Sequence, residues 1–338
     1  IDAFKKVINL LPDDAEAHCN LGHALRDHGQ FAAGLKALQR GHDLGSRKPD
    51  WRYPSPAWIK HCEQLVTLEQ KLPAAVKGGP AEAGELLALA DLCRRYKKRY
   101  HDSAALFAKA FAKEPKAMEN LDRGYRYDAA RAASLAAAGK GVNADKLNAK
   151  EKVGLRQEAL KWLQDDLAAR VRFLEKNPFL AIRMVDDMQH WQKDPDLAEV
   201  REDKELANLA GEERTAWQKF WIQVAALSKE ARAAFSQTEH KGQLSDKECE
   251  QSYPLKMTAG RTYMIDMSSA QFDTYLRLDD GKGKVLAEND DISPQNLNSR
   301  IIFNCKEDGN YRIVATSFQQ VGRGAYVLTI REFPAKKQ

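Results

Sequence analysis

Four aspartates near the C-terminus, Asp279, Asp280, Asp290 and Asp291, offer hard carboxylate oxygens in two neighbouring loops, the donor type that Ca²⁺ prefers. A hairpin that brought both loops to one end of a sheet would make the four a calcium site. Asp and Asn also serve turn geometry in such loops, and both readings stand. Cys19 and His23 are four apart and would share a helical face, as two metal ligands do. No second pair nearby completes a tetrahedral set, so packing is the plainer reading. The other cysteines are Cys62, Cys93, Cys249 and Cys305, an odd total of five with no close pair. That is neither a disulfide framework nor a zinc knuckle.

Catalytic patterns are missing. Phosphoryl transfer needs a Gly-rich loop, a strand lysine, a His-Arg-Asp catalytic loop and a metal-binding Asp-Phe-Gly, and the sequence holds none of them. Arg26-Asp27 has no preceding His. Gly281-Lys-Gly283 and Gly322-Arg-Gly324 lie between strand patterns, where they read as hairpin turns rather than phosphate cradles. Gly-x-Ser-x-Gly and His-Glu-x-x-His are absent too. No catalytic residue is assigned, and this chain is expected not to be an enzyme itself. The run Arg94, Arg95, Lys97, Lys98 and Arg99 could favour an acidic partner, or could be a solvated helix face.

The elements that would position these residues follow from length and pattern. At 338 residues and about 150 residues per domain, roughly two domains are expected. Mean hydropathy is −0.59, and no stretch approaches the ~18 apolar residues of a membrane span. The 53 basic and 48 acidic residues balance to +5, and residues 251–338 take 12 and 10 of them, so neither part concentrates the positive field that nucleic acid requires. No nucleic-acid partner is expected. The chain begins at Ile1 inside a helical pattern (Phe4, Val7, Ile8, Leu11), without an initiator Met or signal-peptide pattern, and is expected to be part of a longer protein.

From Ala15 to His28 and from Phe31 to Leu44 the periodicity predicts two helices separated by a turn at Gly29. Gly22 and Gly34 fall where they would cross, and glycine inside a helix costs about 1 kcal/mol against Ala, which points to a packing demand. Trp51-Arg-Tyr-Pro-Ser-Pro-Ala-Trp58 interrupts the pattern, with Ser55 expected as N-cap and Pro56 at the first position of a helix to about Leu72. Asn177-Pro178 and Asp196 give further helix starts. Trp217, Phe220, Trp221, Val224 and Leu227 form a stripe expected to be core.

His18, Leu21-Gly22, Gly34 and Leu38, with Pro49 displaced, resemble the tetratricopeptide repeat (TPR), a helix-turn-helix unit. Phe4, Val7 and Pro12 fit the end of a preceding unit. Tyr100, Phe107, Ala110 and Pro115 fit a second one over Ala81–Pro115, with Asp91 in place of the small Gly. Tyr127–Ala138 and Lys150–Leu174 suggest a third, looser pair. The wording of Gly41–Pro54 and of His190-Trp-Gln-Lys-Asp-Pro-Asp-Leu-Ala198 resembles the C-terminal repeat region of bacterial serine/threonine protein kinases over residues 1–235. The resemblance implies a kinase domain N-terminal to this chain.

Ser236–Gln251 is polar, without an apolar face, and reads as a linker. Beyond it the period becomes two: Tyr263, Ile265, Met267; Phe272, Thr274, Leu276, Leu278; Tyr311, Ile313, Ala315; Tyr326, Leu328, Ile330. About seven short strands are expected, folded as an antiparallel β-sandwich. Ala259-Gly260, Phe272–Leu276, Asp280-Gly281, Asn289–Asp291, Ser299–Ile301, Asp308–Tyr311 and Gly324–Tyr326 resemble the bacterial pre-peptidase C-terminal (PPC) domain of secreted proteins.

The expected fold is therefore multidomain α plus β: an α-helical TPR-like solenoid (1–235), a linker (236–251) and a small PPC-like antiparallel β-sandwich (252–334). The expected function is a non-catalytic protein-protein interaction or scaffolding region, with a protein or peptide on the helical concave face, as the regulatory tail of a bacterial kinase. The alternative is an extracytoplasmic binding or adhesion module associated with peptidase or carbohydrate. The compartment, cytoplasmic or cell envelope, and the oligomeric state are left open. Apart from possible calcium, no cofactor is expected.

Overall fold

A computed structural model of the chain describes residues 1–177, 179–293 and 296–334. Pro178, half of one expected helix start, lies outside them. The described residues form eleven α-helices followed by two antiparallel sheets. They divide into two compact units, residues 1–172 with 190–224, and residues 173–189 with 225–338.

In the first unit α1 (Asp2–Leu10), α2 (Ala15–Asp27), α3 (Phe31–Gly45), α4 (Ser55–Val76), α5 (Ala83–Arg95), α6 (Tyr100–Lys113) and α7 (Tyr125–Ala137) pack in chain order, each on the next. Asp14 starts α2 by accepting the Ala17 N–H at 3.0 Å, relieving one of the helix's orphan donors. At the α2–α3 crossing the expected small-residue demand is met by backbone. A Cβ on Gly22 would lie 2.9 Å from the Leu38 nitrogen, and one on Gly34 would lie 3.0 Å from the Gly22 carbonyl oxygen. Ser55 does not cap α4 with its side chain. It is wholly buried, its Oγ accepting the Trp51 indole N–H at 3.1 Å and bonded to His42 Nδ1 at 2.9 Å.

The remaining helices are α8 (Ala149–Lys176), α9 (Leu180–Lys193), α10 (Asp203–Leu206) and α11 (Gly211–Ala233). Trp217, Phe220 and Val224 are fully buried, as their spacing predicts. The Trp191 ring stacks on Tyr127 with centroids 5.1 Å apart and on Phe220 at 6.4 Å.

In the second unit the strands are β1 (Ser236–Leu244), β2 (Glu250–Met257), β3 (Thr262–Ser268), β4 (Thr274–Asp279), β5 (Val285–Asn289), β6 (Ser299–Asn304), β7 (Gly309–Ser317) and β8 (Gly324–Phe333). They form sheets of order β1-β8-β3-β6 and β2-β7-β4-β5. Tyr263, Ile265, Met267, Leu328 and Ile330 of one sheet share a core with Leu276, Leu278, Ile313 and Ala315 of the other, which makes a β-sandwich. These are the residues that the period-two pattern placed inside.

The expected linker is a correction. Residues 236–244 are β1, paired with β8 from Ser236 opposite Glu332 to Leu244 opposite Gly324. The strand lies at a sheet edge and buries only Leu244, so it shows no apolar alternation; backbone pairing defines it instead. Phe333 meets Phe235 at 5.5 Å and Phe179 at 4.9 Å, so flanking helical segments share the apolar end of this unit.

Candidate functional site

Within the first unit α2, α4 and α5 enclose a cleft of about 420 Å³. Arg26 stands on α2, His61, Leu65 and Leu68 on α4, and Ala88, Asp91, Leu92 and Arg95 on α5, with Tyr96 at its end. Helical spacing puts these residues together, since 61, 65 and 68, like 88, 92 and 95, recur on one face. Leu65, Leu68, Ala88 and Leu92 supply apolar surface beside the polar groups. Burial, then Arg26 and Arg95, pushes the His61 imidazole below its ordinary value of 6.5, while Asp27 pulls the other way. Both arginines also have carboxylate partners, Arg26 with Asp27 at 2.8 Å and Arg95 with Asp91 at 3.3 Å. Such a cleft suits an acidic segment with apolar side chains, and it contains no nucleophile paired with a base.

The basic run that leads into this cleft is mostly spent on internal pairs. Arg94 bonds Asp91 and Asp128, each at 3.0 Å; Arg95 bonds Asp91 at 3.3 Å; Arg99 bonds Asp102 at 2.6 Å. Lys97 bonds Glu69 and, at 2.5 Å, the Gly29 carbonyl oxygen. Of these arginines Arg95 keeps the most exposed side chain, at 58%.

The four candidate calcium ligands do not converge. β5 alone joins the loop at Asp279-Asp280 to the loop at Asp290-Asp291, with Asp279 opposite Val285 and Leu276 opposite Asn289. Two loops joined by a single strand fall at opposite ends of it, about 3.3 Å per residue apart, so the expected shared end is geometrically excluded. Asp279 is 1% exposed and held by Arg312 at 2.7 Å and Arg277 at 3.2 Å. Asp280 accepts the Lys282 and Lys284 N–H groups in a turn where Gly281 has φ +76. The backbone bonds lower its carboxyl below the usual value. Asp290 and Asp291 stand near Asp273, whose carboxyl rises through burial and through these two like charges. Among the described residues no group of three or more His, Cys, Asp or Glu side chains is placed to hold a metal ion.

Cys19 and His23 serve packing. Burial, then Glu16, pushes the Cys19 thiol up to about 11. His23 sits edge-on to Trp58 at 4.5 Å, and burial lowers its imidazole.

Sequence reading did not anticipate the junction built by Asp194. Its Oδ2 accepts the Tyr127 hydroxyl at 2.5 Å and is ion-paired with Arg131, whose Nε lies 3.0 Å away and donates to Asp196; its Oδ1 accepts the Asp196 N–H, and its carbonyl oxygen accepts from Arg201. It is 2% exposed. The Asp194-Pro195-Asp196 run was the available signal, since an Asp before Pro commonly starts a helical turn.

No protein-family model and no curated protein matches the chain. Solved structures are similar to part of the chain, the first of them over the β region. One is the pre-peptidase C-terminal domain of a collagenase from Bacillus anthracis, at 17% identity over 28% of this chain and 87% of that one, TM-score 0.24. Another, at 13% identity over 29% of this chain and 86% of that one, TM-score 0.22, is PliG, a periplasmic inhibitor of g-type lysozyme from Aeromonas hydrophila. Neither likeness carries a functional conclusion.

Proposed function

We propose that the helical unit is a non-catalytic docking region that takes an acidic, partly apolar protein segment in the cleft between α2, α4 and α5. The observation that carries this is the placing of Arg26 and Arg95 with His61 in one cleft, beside apolar surface from Leu65, Leu68, Ala88 and Leu92. The serial packing of α1 to α7 supports the tetratricopeptide-like reading, in which adjacent helices leave a continuous face for a partner. On the resemblance of Gly41–Pro54 and His190–Ala198, the region belongs to a bacterial serine/threonine protein kinase as its regulatory tail.

Selection of random peptides on the whole chain tests the docking role. Enrichment of acidic sequences that compete with one another supports it, and enrichment of none, or of basic ones, overturns it. Reading the coding sequence upstream of Ile1 tests the parentage, which requires the His-Arg-Asp and Asp-Phe-Gly motifs there.

A further inference from the structure

Trp51, Tyr53 and Trp58 belong to the segment that interrupts the helical period, and the docking cleft uses none of them. They gather beside the start of α2. The Trp51 and Tyr53 rings meet edge to face at 4.8 Å, and Tyr53 and Trp58 lie 6.0 Å apart at 42°. With Glu16, Cys19 and Asn20 of α2 they line a hollow of about 90 Å³. Tyr53 donates its hydroxyl to Glu16 Oε1 at 3.2 Å, and that bond raises its pKa.

The walls are built, not incidental. Trp51 is held by its indole bond to buried Ser55, and its ring lies against Gly45, where a Cβ would come within 2.4 Å. Trp58 is fixed by the edge of His23. Tyr53, 47% exposed, forms the open side. Fixed rings spare a ligand the cost of ordering them.

We infer that this hollow is an aromatic cage for a quaternary ammonium group. Three aromatic rings line the hollow, the wall type that attracts a cation through its π-systems, and exposed Glu16 adds a carboxylate. A primary ammonium carries three N–H donors that need acceptors, and here the carboxylate, already bonded to Tyr53, is the one anionic acceptor. A trimethylated nitrogen has no donor to satisfy and little hydration to lose. A zwitterion with its own carboxylate close to the nitrogen would be repelled by Glu16. The chemistry fits a choline-type small molecule or a trimethyllysine side chain. The site is separate from the Arg26–His61–Arg95 cleft and stands whether or not that cleft binds.

Tryptophan fluorescence and calorimetry on the whole chain with choline test the inference, beside its neutral isostere 3,3-dimethylbutan-1-ol. Saturable choline binding at least about tenfold tighter than the isostere is expected, the scale of a desolvated cation–π contact. A peptide bearing trimethyllysine, compared with its unmethylated form, separates the sources. Tighter binding of the methylated peptide than of choline assigns a protein ligand, and the reverse assigns a small molecule. Tyr53→Ala and Glu16→Gln should each weaken binding severalfold with unchanged circular dichroism, while Tyr53→Phe, which keeps the ring, should retain it. No saturation by any trimethylammonium probe overturns the inference. So does equal binding of choline and the isostere, or binding indifferent to Tyr53→Ala.

Discussion

Tyr127 donates its hydroxyl proton to Asp194 at 2.5 Å while its ring stacks on Trp191, so one side chain of α7 fixes both the polar and the apolar partner of the same segment. Asp194 is buried and paired with the partly buried Arg131, which also bonds Asp196 at 2.5 Å and Asp128 at 3.3 Å. A carboxylate out of water is tolerable only when such donors surround it. The group has the density of an active site and the satisfaction of a structural junction, since the Asp194 carboxylate is already occupied by donors.

Replacing Asp194 by Ala therefore leaves Arg131 with a missing partner and the Tyr127 hydroxyl without an acceptor. The expected loss is about 3–5 kcal/mol in urea unfolding of the whole chain. Tyr127→Phe removes one hydrogen bond and leaves the stacking intact, and should cost about 1–3 kcal/mol. Equal effects from the two would contradict the junction.

The helix crossing gives a prediction of opposite signs. Gly34→Val drives side-chain atoms into the Gly22 carbonyl and the Arg26 backbone, and should destabilise by about 1–3 kcal/mol or more. Gly84, near the start of α5, has nothing within 4 Å of its added Cβ. Gly84→Ala should then stabilise by about 0.5–1 kcal/mol through helix propensity. Thermal unfolding of both variants checks the pair.

His23 sets a pH dependence. Its folded value is depressed, by burial first and then by Arg26, below the 6.5 of the free side chain. Folding therefore opposes protonation. The stability is full above pH 6.5 and declines as pH falls through the folded value. Melting temperature should drop between pH 7 and 5, and His23→Gln should flatten part of that slope. A wild-type slope unchanged by the variant would contradict the assignment.

Among the acidic loop residues, Asp279 and Asp280 should behave differently although adjacent. Asp279→Ala strips the shared partner from Arg277 and Arg312 and should cost about 1–3 kcal/mol. Asp280→Ala loses only turn bonds to exposed backbone and should have the smaller effect on melting temperature.

Much of this was readable in the residues. Period two placed Tyr263, Ile265, Leu276, Ile313 and Leu328 inside because one face of each strand is buried, and the helical pattern with Gly22 and Gly34 located a close crossing. β1 was invisible because an edge strand with polar residues on both faces carries no periodic signal; its evidence is the pairing with β8. The aspartate quartet misled for a topological reason, since sequence proximity of two loops says nothing of the strand direction between them. The cleft between α2, α4 and α5 was half legible. The run from Arg94 to Arg99 stands out in the sequence, but its pairing with Asp91, Asp128 and Asp102, which leaves Arg95 the most exposed of its arginines, shows only in the fold.

The affinity of a selected acidic peptide for the wild-type chain and for an Arg26→Glu, Arg95→Glu double variant, measured by fluorescence anisotropy, bears most directly on the docking role. The cleft predicts a loss of about tenfold or more in the variant, with steep weakening as salt rises. Equal affinity for both proteins, with each still folded by circular dichroism, would contradict it.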